Sequence, residues 1–577
     1  MDDQKAENLL NLALQATPYE RERSLNLNTG FNSENKTWEV IVKYNGDISQ
    51  LEGDMVQIVR LMNRYAIITA TEEQLEKLLR APQIEFAEKP KRLFFAVNEG
   101  RRVSCIQYVQ TYPLELTGRG TVVALIDSGV DITHPDFRNS DGTTRIAALW
   151  DQASKDTAVP PPDGYYLGSL YNEQQLNDYL QNPTPGSAPG NDLSGHGTSV
   201  LGIAAGNGRQ SNGLYKGVAP ESTLIVVKLG TPMPDGFPRT TEMMQAVNFV
   251  LETAMNMGLP VAVNISFGNT YGAHNGTSLL ETYLNEMSGV WKNNLVIGTG
   301  NEGSTSGHTS GVLRLGYIEE IPLAVASYET TLNVQIWKNY FDHADIEIVA
   351  PSGRSAGPFQ QFLGPQRFIL DNTELLMYYG EPSPYAVNQE IYIDFIPSGN
   401  YIADGLWLIR LIPRRVISGD FHMWLPSHAV LNTQTRFLYP VPETTLTIPS
   451  TTLKAVTVAA YNSLTDAYAD FSGRGFAGFN VWNKPDLAAP GVNIQTTKSG
   501  GGYHQVTGTS FAAPFVTGSC ALMMEYGIVR ENDPFLYGEK IRAYLIDGAR
   551  RLPGFDVYPN ENVGYGALCV SESLPKR

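Results

Sequence analysis

The chain is poor in cysteine, in positive charge and in long apolar runs, and each shortage excludes something. Three cysteines in 577 residues, Cys105, Cys520 and Cys569, are too few for a disulfide framework, and none stands beside a metal-ligating residue. We read them as buried small apolar side chains. Lys and Arg number 42 against 59 Asp and Glu, a formal net charge of −17. No Lys/Arg-rich run stands out against that total, so neither a nucleic acid nor an anionic membrane is expected as a partner. No stretch reads as ~18 uncharged apolar residues, so no membrane span is expected either. The acidic opening, "MDDQKAENLLNLALQATPYERERS", lacks a basic n-region and a sustained apolar run. A standard secretory signal is therefore not expected, and synthesis in the cytoplasm is.

What is present is enough chain for more than one compact unit, since single cores stop growing at about 250 to 300 residues. An apolar share of 42% with 18% charged residues fits a folded protein rather than a disordered one. Residues 37 to 97 read as a small α/β unit: "TWEVIVKY" and "RYAIITA" alternate like strands, and "TEEQLEKLLRA" has helical spacing. From about 119 buried strands alternate with helices. "TVVALIDSGV", "TLIVVKLG", "PVAVNISFG" and "NLVIGTGNEG" are the strands, and "HGTSVLGIAAG", "TTEMMQAVNFVLETAMNMG" and "SLLETYLNEMSG" the helices. That alternation predicts an α/β domain with a parallel sheet covered on both faces. Near 325 it stops, and strand-like text with recurring tryptophans and Gly/Pro/Ser/Asn turns predicts a β-sandwich inserted before the α/β text resumes at "AVTVAAYN". The proline-rich text between 154 and 192 reads as a surface excursion.

Three segments carry chemistry. "ALIDSGVDITHPDF" puts Asp127 at the C-terminal end of a buried strand, "NDLSGHGTSV" puts His196 at a helix start, and "GTSFAAP" puts Ser510 at another. In open parallel sheets, sites form beyond the carboxyl ends of the strands, where these three can converge. A serine hydroxyl needs an imidazole to take its proton, and the imidazole needs a carboxylate to fix its tautomer. The resulting oxyanion needs donors. The Ser510 N–H at its helix start is one, and the side-chain amide of Asn301, just past a strand end in "GTGNEG", is another. Pro514 fits the first turn, where backbone N–H groups have no intrahelical partner to lose. Taken singly these residues read as a turn former, a structural histidine, an N-cap and a turn amide. Their order, Asp then His then Ser, resembles that of the subtilisin triad.

With "GVAPESTLIVVKLG", "NISFGN", "DFSGRGF" and "KPDLAAPGV" added, the chain resembles the subtilases, subtilisin-like serine proteases, over most of 119–325 and 447–570. The resemblance implies Asp127, His196 and Ser510 as a triad, Asn301 as oxyanion donor, and Ser266, Phe267 and Gly268 as a segment that pairs with extended substrate. Many subtilases carry a second histidine three residues after the first; here Ser199 stands there. The implied division is a propeptide over 1–97, a subtilase domain over 98–325 and 448–577, and a jelly-roll β-sandwich over 326–447. That insertion is similar to the one in clostridial spore-germination subtilases, which activate a cortex-lytic pro-enzyme and keep their cleaved propeptide bound. The resemblance implies a serine endopeptidase with a protein substrate, self-cleavage between Phe94 and Ser104, and packaging in a spore. Some such relatives have lost triad residues and act as sensors; this chain keeps all four positions, and the alternative is a catalytically silent binding protein whose cleft is occluded by a propeptide tail that never leaves.

No cofactor or metal is expected. His308, His343 and His504 have no metal-ligand spacing, and no local Asp/Asn/Gly loop specifies calcium. His134 in "THPDF" reads as structural. Trp337, Trp407 and Trp424 in the sandwich offer stacking surfaces for a sugar, but we read them as core.

Overall fold

The computed structural model describes all residues except 1–4, 24–26, 28–29, 54–55, 91–95, 185–187, 231–237, 363, 476–483 and 576–577. Two compact units emerge, Met1–Phe95 and Ala96–Arg577.

In the first unit an antiparallel sheet runs Phe31–Asn32, Thr37–Tyr44, Tyr65–Thr71, Gln57–Leu61, with Ile84–Glu88 also paired to Thr37–Tyr44. The strand Thr37–Tyr44 buries Trp38, Val40 and Val42, every second residue, which is the period-2 signature of a half-covered sheet. Helix Glu72–Leu79 starts on a capping box between Thr71 and Gln74 and buries Leu75, Leu78 and Leu79 against that face. Helix Asn8–Gln15, which the sequence reading did not anticipate, adds Leu10, Ala13 and Leu14 to the same core.

The second unit is built on a nine-stranded sheet. Its order is Ala467–Tyr468, Val456–Asn462, Asn293–Gly298, Val261–Ile265, Val122–Asp127, Thr223–Lys228, Ile146–Asp151, Ser169–Asn172, with Leu487–Pro490 beside Val456–Asn462. The central pairs are parallel, and the strands Ala467–Tyr468 and Ser169–Asn172 are antiparallel. Val122–Asp127 is buried at every position because both faces are covered. Val123 and Leu125 join the core that holds helices His196–Ala205 and Ala513–Met524. Val122, Ala124 and Ile126 join the core of helices Thr240–Met257 and Leu279–Met287. The stretch between 154 and 192, expected as a surface excursion, holds the edge strand Ser169–Asn172 and helix Glu173–Gln181, started by an Asn172/Gln175 capping box.

The inserted β-sandwich pairs a six-stranded sheet with a five-stranded one, both antiparallel, around a single core. Its strands alternate in burial, as in Thr373–Tyr379 and Asn388–Pro397. Its sheets begin earlier than 326. His308–Val312 pairs with Asp420–Trp424, and Glu319–Val325 pairs along its whole length with Gly405–Arg415. Trp407 and Trp424 are buried and Trp337 is half-buried.

The cysteine reading changes. Cys105 and Cys569 are joined by a disulfide across 464 residues of sequence, so only Cys520 is the buried free thiol expected of all three. The strand-to-helix geometry brings both ends of the second unit to one place, with Val570 N–H donating to the Ser104 carbonyl at 3.0 Å. The segment Thr509–Val529 is long and apolar enough to cross a membrane by length and composition alone. It is instead the core helix of the unit, 83% buried.

Candidate active site

The strand Val122–Asp127 ends by pointing its last carboxylate out of the sheet's carboxyl edge, fully buried. Asp127 Oδ1 accepts from the Ser128 N–H at 2.7 Å and meets His196 Nδ1 at 2.6 Å. Oδ2 is buried with no donor among the described residues, which leaves the carboxylate's stabilisation to that one edge. His196 is the first residue of its helix, and Gly197 behind it makes the approach possible. A Cβ there would stand 2.2 Å from the Gly129 carbonyl oxygen and 3.2 Å from Asp127 Oδ1.

With Nδ1–H committed to Asp127, Nε2 is the imidazole nitrogen able to accept a proton. Burial pulls the His196 pKa down, but the Asp127 charge, its hydrogen bond and the Asp192 charge outweigh it, and the net shift is upward. Asp192 also shapes the turn: Oδ1 accepts from Ser128 Oγ, Ser194 Oγ and the Gly195 N–H, and Oδ2 from Thr198 N–H and Oγ1.

Ser510 lies half-buried in the short turn Thr509–Phe511 before helix Ala513–Met524, whose first turn takes Pro514. Gly508 answers for the small residues there. Its φ of 153° with ψ 162° is a conformation that only glycine adopts without strain, and it bends the chain into the turn. The His196 ring sits 5.4 Å from the Phe511 ring and 6.1 Å from that of Phe267. The Ser510 hydroxyl donates to the Ser266 carbonyl at 3.5 Å, and among the described residues no hydrogen bond joins it to His196. Such bonds are often long or misaligned without substrate, and rotation about one side-chain bond redirects the hydroxyl.

Asn301 is the fourth residue brought to this place. Its Oδ1 accepts from Thr509 N–H and Oγ1, each at 3.1 Å, which fixes the amide's orientation and leaves Nδ2 on the Gly508 side. No described group accepts from the Ser510 N–H. Asn301 Nδ2 and the Ser510 N–H are thus the donors left at this turn, the kind of pair an oxyanion would need. Ser266, Phe267 and Gly268 leave strand Val261–Ile265, with Gly268 exposed, and Asn269 then bridges to Ile448.

Comparison with known proteins gives the family. The subtilase family model matches residues 118–380 and 438–566, and the Csp protease B prodomain model matches 4–91. The chain belongs to the subtilase family. A solved subtilase, the Clostridium perfringens CspB protease, is 35% identical with a TM-score of 0.76, covering 82% of this chain and 96% of that one. The PIII-type proteinase of Lactococcus lactis subsp. cremoris is 27% identical over 79% of this chain and 24% of its own length. The minor extracellular protease Vpr of Bacillus subtilis is 25% identical over 80% of this chain and 52% of its own length. The chain thus spans about a quarter of the length of the lactococcal relative.

Sequence reasoning missed three partners of this subtilase site. Asp192 is legible as an acidic residue with "S-G-H" behind it at a helix start, a capping signal. Ser199 binds His504 Nε2 at 2.8 Å, a histidine arriving from strand Tyr503–Val506, 305 residues on. Glu302, beside Asn301, accepts from Ser427 Oγ at 2.5 Å and meets His428 Nδ1 at 3.1 Å, both from the sandwich. Neither long-range pair leaves a local signal.

Proposed function

We propose that the chain is a serine endopeptidase in which Ser510 attacks a peptide carbonyl, His196 takes its proton, and Asp127 holds the imidazole. The observation that carries this reading is the 2.6 Å contact between a fully buried carboxylate and His196 Nδ1, with the ring of Phe511, the residue after Ser510, 5.4 Å from the imidazole. In the forward step the Ser510 Oγ–H proton passes to His196 Nε2 as the Oγ–C bond forms. The imidazolium so created faces Asp127, and the oxyanion receives Asn301 Nδ2–H and the Ser510 N–H. Collapse returns the proton to the leaving amine, and water repeats the sequence on the acyl-enzyme. Extended substrate pairs with the backbone at Ser266, Phe267 and Gly268.

The first unit acts as a propeptide that the protease removes from itself. Of the window 94–104, residues 94 and 95 lie outside the described residues, and Ala96–Val103 is helical. Attack needs extended backbone, so we place the cut at or before Ala96. Intact masses of wild type and Ser510→Ala test nucleophile and cut together. Wild type should yield a fragment ending at 94 to 96. Ser510→Ala should stay one chain, since losing a triad member costs on the order of 10⁴ to 10⁶ in kcat. A variant that still cuts itself removes Ser510 from the role.

From the resemblance we further propose a pro-enzyme as substrate, such as a cortex-lytic enzyme, in spore germination. The cleaved propeptide stays bound, and the protein is packaged in the spore. One observation favours the second reading, a silent sensor: the Ser510 hydroxyl rests on the Ser266 carbonyl rather than on His196. That reading requires wild type to ignore a serine-directed phosphonate.

A further inference from the structure

Two buried cations among the described residues show how such a charge is met, and Arg101 departs from both. Lys484 meets Asp486 Oδ2 at 2.6 Å, and Arg145 donates to the carbonyls of Asp136, Ala205 and Ser222 with Asp136 and Glu221 supporting its charge. Arg101, on helix Ala96–Val103, is 7% exposed, donates from Nη1 to the Lys216 carbonyl at 3.4 Å and from Nη2 to Gln110 Oε1, and no described carboxylate pairs with it. Its Nε is buried with no acceptor. Burial pushes its pKa down to about 10, which still leaves it charged at neutral pH. Lys216 stands beside it. Burial and then the Arg101 charge lower the Lys216 pKa, with Glu221 opposing. Two cations therefore share one wall, and while Glu221 bears on Lys216, no described carboxylate offsets the charge on Arg101.

Arg101 and Lys216 line a cavity of about 20 Å³ together with Tyr215, Gln495, Thr496 and Phe515. That is room for one water-sized particle or a little more. Water would satisfy the Nε–H but not the charge. A halide is close to water in size and brings the negative charge that water lacks. The cavity also touches Gly202 and Ile203 of the helix that begins at His196, and Phe515 belongs to the helix that follows Ser510.

We infer that the cavity between Arg101 and Lys216 binds one small monovalent anion of halide size, which neutralises the buried guanidinium and ties helix Ala96–Val103 to the two helices that position His196 and Ser510. The inference stands on this cavity and does not depend on the protease reading. Where that reading holds, the anion secures the first helix after the cut.

The test uses the full chain. Crystals soaked in bromide should give an anomalous peak within hydrogen-bonding reach of Arg101 Nε. In solution at fixed ionic strength, replacing gluconate by chloride should raise the melting temperature in a saturable way. Arg101→Gln should lose that response. Should Arg101→Gln fail to fold, Lys216→Gln carries the test, and it should raise the chloride midpoint by about tenfold, the effect of losing one charged partner. No bromide peak, or the same chloride midpoint in wild type and Lys216→Gln, overturns the inference. A peak with no shift in melting temperature means an ion held at crystal concentration only, and overturns it too.

Discussion

The catalytic crevice and the seam beneath the sandwich both hold imidazoles, and the two places tune them in opposite directions. His196 rises in pKa because Asp127 and Asp192 outweigh its burial. Across the seam His274, His308, His422 and Trp424 stack, with His274 and Trp424 rings 4.3 Å apart and His308 and Trp424 rings 4.9 Å apart. There burial dominates. It pushes His308 down to about 3, with the His422 charge adding to it, and His422 down to about 4, with His274 adding to it. His274 is lowered as well, chiefly by burial. Their ring nitrogens meet carbonyls or one another: His308 Nδ1 faces Val441 O at 2.8 Å, and His274 Nδ1 faces Leu446 O at 2.6 Å. A carboxylate at hydrogen-bonding distance makes an imidazole a base. Without one, the same side chain becomes a neutral packing plate.

Breaking the carboxylate side of this contrast should have the larger effect. Asp127→Asn should lower kcat by roughly 10⁴, because the wrong tautomer is then held. It should also move the acidic limb of the pH–rate profile to lower pH, since the influence that raises His196 is gone. A pH–rate profile on a peptide substrate reads both, and an unmoved limb counts against Asp127 as the cause. Gly197→Ala is milder. Its Cβ cannot sit 2.2 Å from the Gly129 carbonyl, so the helix start must back away from Asp127. A displacement of that size should cost about 10² in kcat.

The seam predicts a smaller effect, on stability. Unfolded histidines titrate near about 6.5. In the folded chain His422 and His308 stay neutral down to about 4 and about 3. Between those limits the unfolded chain binds more protons, so stability is fully present above about 6.5 and falls as pH falls. Denaturant titrations from pH 7 to 4 should show this loss, and His308→Phe, which keeps a ring in the stack, should flatten it. An equal slope in the variant moves the acid sensitivity elsewhere.

Much of this was legible in the sequence where the signal is local. The uninterrupted burial of Val122–Asp127 shows as an apolar run, and the alternation of Thr37–Tyr44 as a period of two. Asp127, His196, Ser510 and Asn301 each sit at an element end that its neighbours announce, and the fold brings all four together. What stayed hidden depends on closure over distance. Cys105 and Cys569 look like lone apolar residues until the two ends of the second unit meet. The sandwich's first strands were hidden for a different reason: "EEIPLAV" is short and carries a proline, so only its pairing with Gly405–Arg415 reveals it. Of three tryptophans offered to a sugar, Trp407 and Trp424 are core, and their donors are satisfied by the Ala403 and Thr444 carbonyls.

The central claim is that Asp127 and His196 make Ser510 a nucleophile, and covalent labelling with a fluorophosphonate reads that directly. Wild type should take up one adduct at Ser510, with Asp127→Asn and His196→Ala labelling far more slowly. A self-cleaved wild type with no adduct at Ser510, or equal labelling in all three proteins, would contradict the account.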